Sequence, residues 1–345
     1  DYYQININNI DYQISVYLDS DKIFLEFEEN EKVDLDIFTF EEIKSEIDNS
    51  ENIWQSLADK MYQIINFDRI MIYQFLEDGT GIVLAESIKG NLPSVLGYRY
   101  PEFDIPKQAR KLFTTNLDRQ TPDIFEETIQ IIGLKPSEIN LSKSKIRAMS
   151  PNHLQYLKNT NLTASASFSI IIDNKLWRLV CCQHQAKKYI TIQQRKLCNY
   201  IIDPISKHFE NKKAISKLTN EIQLKDFENE LKGSIISSKS TQYTLAKYGN
   251  NFLKVLSASG LIISFGADII RIGETPKDDD FYQIKEHIDS LYDSNTIFTT
   301  HEYSNIKNNF FIDTENISGI ARINFDKYGL NSIYFFRPQS IKDEI

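Results

Sequence analysis

The chain has 345 residues, 41% of them hydrophobic and 25% charged, with a formal net charge of −9. That length predicts two domains or slightly more, each burying its own core, and the acidic balance excludes the basic face a nucleic-acid partner requires. No apolar run reaches the roughly 18 residues of a membrane-spanning helix, no secretory leader is visible, and three cysteines, Cys181, Cys182 and Cys198, predict no disulfide framework, which fits a cytoplasmic protein.

Residues 11–27 alternate, with Tyr12, Ile14, Val16 and Leu18 before Asp19-Ser20-Asp21 and Ile23, Leu25 and Phe27 after it. This period of two predicts a β-hairpin with those apolar side chains on one buried face, too small to stand as a domain alone. After the acidic stretch 28–51, Ile53, Leu57, Met61 and Ile64 fall at helical spacing, with Ser50 or Asn49 as cap; the stripe reads as core packing. Strands are predicted over 69–76 and 82–88 around the turn Glu77-Asp78-Gly79-Thr80-Gly81. Residues 89–150 are mostly without periodicity, and so long a connection is where a binding loop is expected.

A second hairpin is predicted over 165–172 and 175–184 around Asp173-Asn174. Periodicity then turns helical over 191–237, through Leu197, Ile201, Ile205 and Phe209 and on to Leu218, Ile222 and Leu231, with Pro204 kinking the helix or dividing it in two. Strands at 261–265 and 268–272, a helix at 281–292 and strands near 317–325 and 332–336 complete an α/β (α+β) chain. Cys181, Cys182 and His184 make no zinc site, because a structural site wants four ligands in spaced pairs.

Two stretches carry chemistry. In Tyr100-Pro101-Glu102-Phe103-Asp104-Ile105-Pro106-Lys107-Gln108-Ala109-Arg110, the two prolines disfavour helix before them and bracket a rigid segment holding one carboxylate. In Arg147-Ala148-Met149-Ser150-Pro151-Asn152-His153-Leu154-Gln155-Tyr156, steps of three would place a guanidinium, a hydroxyl and an imidazole on one face of a helical turn. Such a face suits an anionic, hydrogen-bonding ligand.

Together these stretches resemble the bilin pocket of phytochromes. Phe67-Asp68-Arg69-Ile70-Met71-Ile72-Tyr73-Gln74-Phe75 is similar to a strand of the GAF domain of that family. The segments 266–276 and 334–339 resemble its PHY domain, the second where the tongue hairpin would begin. The resemblance implies an antiparallel-sheet PAS remnant over 1–33, a GAF bilin-binding domain over 34–190, a connecting helix over 191–237 that packs in a homodimer, and a PHY domain over 238–345.

The resemblance also implies the site. Arg119 and Arg147 would hold the propionates of a bilin, with Ser150 adding a hydroxyl and Ser165 and Ser167 polar contacts nearby. Asp104 and His153 would occupy the centre, the aspartate through its carbonyl and the histidine through a shared water. Ile105 and Pro106 would pack over the middle rings, and Met71, Tyr73, Tyr100 and Tyr156 around the terminal D ring. Three positions depart from the family pattern. Asn152 stands where many members carry the attaching Cys, so no covalent link is expected from these residues. Gln183 stands where a histidine faces the D-ring carbonyl, and Phe103, in place of a small residue, is expected to crowd the site.

The expected function is therefore a red/far-red photoreceptor binding biliverdin IXα. Light would isomerise the bilin about its C/D bridge, and the helical spine would relay the change to an output such as a histidine kinase or to a response regulator. No catalysis is expected of this chain itself. Two other readings are a light-independent sensor and dimerisation module that binds bilin without a covalent link or not at all, and an enzyme acting on linear tetrapyrroles.

Overall fold

The computed structural model describes residues 2–30, 45–46, 50–76, 78–90, 92–291, 297–301, 303, 317–326 and 328–338. Most of the acidic stretch 28–51, the cap candidate Asn49, Glu77, Tyr292 and Gln339 lie outside the described residues. The chain divides into two units, 1–213 and 214–345.

In the first unit β1 (Tyr2–Ile7), β2 (Ile10–Asp19) and β3 (Lys22–Glu29) form an antiparallel sheet. Strand β1 is an addition to the predicted hairpin. Its signal is Asn8-Asn9, both at left-handed φ (52° and 65°), which is the two-residue turn that the twist of a hairpin favours. The predicted buried face is corrected. Leu18 and Ile23 are 62% and 72% exposed, Leu25 and Phe27 are exposed too, and Gln13, Glu26 and Glu28 on the other face are each 6% exposed. Charge pairing decides the orientation: Arg195 donates to both Glu28 carboxylate oxygens (2.7 and 2.9 Å), Tyr189 donates to Glu28 at 2.8 Å, and the Lys145 amide donates to Glu26.

The chain continues through α1 (Ile53–Ile65), β4 (Arg69–Phe75), β5 (Gly81–Ile88), β6 (Arg99–Tyr100), α2 (Lys107–Thr115), β7 (Asp118–Thr121), α3 (Pro151–Asn159), β8 (Ala164–Ile172), β9 (Lys175–His184) and α4 (Ile192–Ser237). Helix α1 is capped by Asn52, whose side chain accepts the Gln55 amide at 3.1 Å, rather than by Ser50. Its buried stripe runs Leu57, Met61 and Ile65 rather than ending on Ile64, because steps of four bring Ile65 over the core. Helix α2 and strand β7 arise within the span predicted to be mostly irregular; they are short, and α2 has no fully buried residue to mark it.

Strands β4 to β9 form a second, six-stranded antiparallel sheet, β6-β5-β4-β9-β8-β7. Successive side chains on a strand point to opposite faces, so β4 sends Ile70 and Ile72 one way and Met71 and Tyr73 the other. The first face packs against α1 and α4 through Phe168, Val180, Cys182, Leu197, Cys198 and Ile201. The second gathers Met71, Tyr73, Val83 and Leu179. The turn between β8 and β9 has Asp173 and Asn174 both at positive φ (51° and 59°), again the hairpin geometry. Pro204 neither breaks nor divides α4, which is continuous over 46 residues; Ile201, Ile202 and Ile205, buried on both sides of the proline, hold it to the core.

In the second unit α5 (Thr241–Lys247), α6 (Gly249–Leu256), β10 (Gly260–Phe265), β11 (Asp268–Gly273), α7 (Asp278–Leu291), β12 (Phe298–Thr300), β13 (Gly319–Asn324) and β14 (Asn331–Arg337) build a five-stranded sheet, β11-β10-β14-β13-β12. One face packs Leu261, Ile263, Ile333 and Phe335 with Leu245, Phe252 and Leu253. The other packs Ile262, Tyr334 and Phe336 with Phe281, Ile284 and Ile288 of α7. The short α5, α6 and β12 were not predicted.

Candidate functional site

A cavity of ≈ 700 Å³ lies on the Met71–Tyr73 side of the six-stranded sheet, walled also by α2, α3 and the loops 103–106 and 147–150. Its volume falls in the range of about 300–1,000 Å³ common to small-molecule pockets. Every predicted site residue lines it: Met71, Tyr73, Tyr100, Asp104, Ile105, Pro106, Arg119, Arg147, Ser150, His153, Tyr156, Ser165, Ser167 and Gln183.

Strand register explains half of that convergence. Met71 lies opposite Cys181, Cys181 opposite Ser167 and Ser167 opposite Arg119, so one row of side chains crosses four strands. A parallel row runs from Arg69 through Gln183 to Ser165. The neighbouring Asp118 faces away, accepting a hydrogen bond from Lys145.

The loops supply the rest. Pro101 and Pro106 are both extended (ψ 158°), and between them Glu102–Asp104 make a single 3₁₀ turn. Arg110 clamps this segment, its Nε donating to the Ile105 carbonyl at 2.7 Å and its other end to the Gly79 carbonyl while stacking over Phe75. The predicted continuous helical face for Arg147, Ser150 and His153 is corrected. Helix α3 begins at Pro151, and Ser150 is its extended N-cap, accepting the His153 amide. Proline at the first helical position fixes that start, so Arg147 approaches from the preceding loop.

The cavity is electrostatically lopsided. Arg119 donates to the Arg147 and Ala148 carbonyls at 3.2 and 2.8 Å, but the Nε atoms of Arg119 and Arg147 are buried without a hydrogen-bond partner. Burial, reinforced by neighbouring Arg147, pushes the Arg119 pKa down to about 10, and burial lowers that of Arg147. No carboxylate among the described residues forms an ion pair with either guanidinium. Two cations held this way, uncompensated, are a receptor for anionic oxygens.

At the centre, burial raises the Asp104 pKa. His153 is lowered by burial and then by Arg119, so it is held neutral, and its ring lies 5.7 Å from that of Tyr156. Tyr73 and Tyr100 stand 6.0 Å apart, their phenols pushed up by burial, Tyr100 to about 12. The arrangement offers cations at one part, an aromatic wall at another, and a neutral imidazole with a half-buried carboxyl between them.

Phe103 corrects one expectation. It lines the cavity but is 79% exposed, so it stands at the rim rather than crowding the interior. Asn152 lines the wall, as does Cys181, which the sequence did not single out although its two-residue step from Gln183 gave the signal. Leu112 and Phe113 of α2 were also missed because the helix was. His184 lies outside, its Nδ1 2.9 Å from Asp68, and Cys182 belongs to the core.

The family model described as "PHY: Phytochrome region" matches residues 224–343. The chain is 31% identical over 298 residues to "Cyanobacterial phytochrome B" of Nostoc sp., covering 84% of this chain and 39% of that protein. It is 30% identical over 247 residues to a "Bacteriophytochrome" of Xanthomonas campestris pv. campestris, covering 68% of this chain and 38% of that one. The chain thus spans about two fifths of the length of these relatives. In fold it is similar to a crystal structure of a bacteriophytochrome from the photosynthetic bacterium R. palustris, with TM-score 0.74 and 23% identity over 98% of this chain and 70% of the other. A sheet-borne cavity with two arginines that no carboxylate among the described residues pairs, followed by a matched phytochrome region, places the chain in the phytochrome family.

Proposed function

We propose that the cavity binds a bilin, biliverdin IXα, and that the chain is the photosensory part of a light-responsive signalling protein. The observation that carries this reading is the pair Arg119 and Arg147, half-buried with their Nε atoms enclosed, close enough to disfavour each other's charge and without an acidic partner among the described residues, facing the same ≈ 700 Å³ space as His153 and the proline-bracketed Asp104. A linear tetrapyrrole has two propionates for the arginines and a flat conjugated body for the aromatic wall. When bound, it would supply light absorption and a photoisomerisable bond.

The chain's own residues do the rest. Arg119 and Arg147 neutralise the acids and fix the ligand's orientation. The clamp of Arg110 holds the Ile105 carbonyl and its neighbours rigid, and neutral His153 can accept a hydrogen bond from the ligand or a water. No thioether from the cavity wall is proposed: Asn152 carries an amide, and burial pushes the Cys181 thiol up to about 12, away from the reactive thiolate. The reading assigns a covalent link to no residue of the cavity wall, and it assigns the chain no catalysis.

Ile215, Leu218 and Ile222 lie at steps of three and four on α4 and are exposed, which supports a homodimer through this helix. An output module, such as a histidine kinase or a response regulator, receives the signal in the same proposal. Mixing the apoprotein with biliverdin is the test. A sharpened far-red band that changes under red light is expected. Binding without any photochange favours a light-independent sensor module, and no spectral change removes the bilin reading.

A further inference from the structure

We infer that Arg69 is a positioning residue, which locks the side-chain amide of Gln183 so that its NH₂ group faces the cavity as a fixed hydrogen-bond donor. The inference rests on the bilin reading for its ligand, but its geometry belongs to the protein alone.

Arg69 on β4 and Gln183 on β9 are direct cross-strand partners on the cavity side of the sheet. Both are buried, at 7% and 5% exposure. An amide presents one acceptor and one donor end, and burial lets neither rotate freely without a partner. Here the Arg69 Nη1 donates to Gln183 Oε1 at 2.9 Å. Arginine has no acceptor, so the oxygen must face it and the nitrogen must point away. The donor end then turns into the cavity, whose wall Gln183 shares with Tyr156.

Arg69 is itself anchored through its second Nη atom. Its Nη2 donates to the Pro93 carbonyl, and its Nε lies 4.0 Å from the Glu86 carboxylate. Glu86 in turn accepts the backbone amides of Val95 (3.1 Å) and Leu96 (3.2 Å). The guanidinium thus ties the loop 93–96 to the orientation of one cavity amide. A lysine has a single nitrogen and cannot bridge the Pro93 and Gln183 oxygens in the same plane.

A bilin offers carbonyl oxygens at its terminal rings, which need donors. Gln183 held by Arg69 is such a donor, and unlike a histidine in its place it has no protonation state to change.

The test has an apo arm and a ligand arm. In the unliganded protein, nuclear Overhauser contacts should run from the Gln183 NH₂ to the Tyr156 ring. Arg69→Met should weaken them or give two sets of amide signals; an unchanged pattern overturns the inference. With biliverdin bound, Gln183→Leu and Arg69→Met should each shift a terminal carbonyl stretch to higher wavenumber. The double variant should shift it no further than Gln183→Leu alone. Additive shifts, or a shift in Gln183→Leu only, overturn the role of Arg69. Circular dichroism of each variant guards against misfolding. If the wild-type chain takes up no pigment, the bilin reading fails, and the apo arm still decides whether Arg69 sets the amide.

Discussion

Gly81→Ala is the sharpest steric experiment the cavity allows. A Cβ at this position would lie 2.0 Å from Cζ and 2.1 Å from the hydroxyl of Tyr73. Restoring ordinary contact at 3.4 Å requires the ring to move by about 1.4 Å, and the ring is 4% exposed, edge-on to Phe75 at 5.1 Å and 6.0 Å from Tyr100. Gly81 does not use a left-handed backbone, so alanine is penalised here by crowding alone. Overpacking of a buried site costs typically about 1–3 kcal/mol. Urea unfolding should show that loss, together with weaker biliverdin uptake, as the displaced ring occupies the cavity. In a Tyr73→Ala background the same substitution should cost almost nothing. Equal costs in the two backgrounds would refute the argument that Tyr73 owes its place to the missing side chain.

Three further outcomes follow from the electrostatics. The His153 ring should titrate below the ordinary histidine value near 6.5, and Arg119→Gln should move it upward, as histidine NMR would show; an unmoved midpoint would mean Arg119 exerts no field there. Because the folded state binds that proton less readily than the unfolded one, His153 contributes stability above the unfolded value that is lost as pH falls below it, so Tm should decline under mild acid and decline less in His153→Gln. Arg195→Met leaves the buried carboxylates of Glu28 and Asp118 facing a neutral side chain, and should cost about 3–5 kcal/mol in chemical unfolding; a cost under about 1 kcal/mol would show that the polar face of the first sheet is not held by this pair.

Strand periodicity made much of the fold legible. Alternation over 165–184 with Asp173-Asn174 between located β8 and β9 almost to the residue, and the same alternation told which side chains share a face. The shortest helices and strands escaped, since a seven-residue helix such as α5 or a three-residue strand such as β12 is too brief to show a period. Alternation also misled at β2 and β3. Hydropathy says which residues share a face, but the choice between faces was made by Arg195, Tyr189 and the Lys145 amide, which lie more than a hundred residues away in sequence.

The cavity residues were named through the resemblance to a family, and prolines keep the shape of the motifs that carry it. Proline at 101, 106 and 151 constrains the backbone so strongly that short motifs keep one shape. What could not be read is the pairing between strands that makes Arg69 a partner of Gln183, because register is a tertiary fact.

The central claim is that Arg119 and Arg147 recognise the two acids of a linear tetrapyrrole. Its most direct test compares Kd for biliverdin with Kd for its dimethyl ester, which keeps the pigment and removes the charges. The wild-type chain should prefer the free acid by about tenfold or more, as loss of charge-assisted hydrogen bonds worth about 1.5–3 kcal/mol requires, and Arg119→Gln/Arg147→Gln should abolish that preference. Equal affinity for acid and ester in the wild-type protein would contradict the claim.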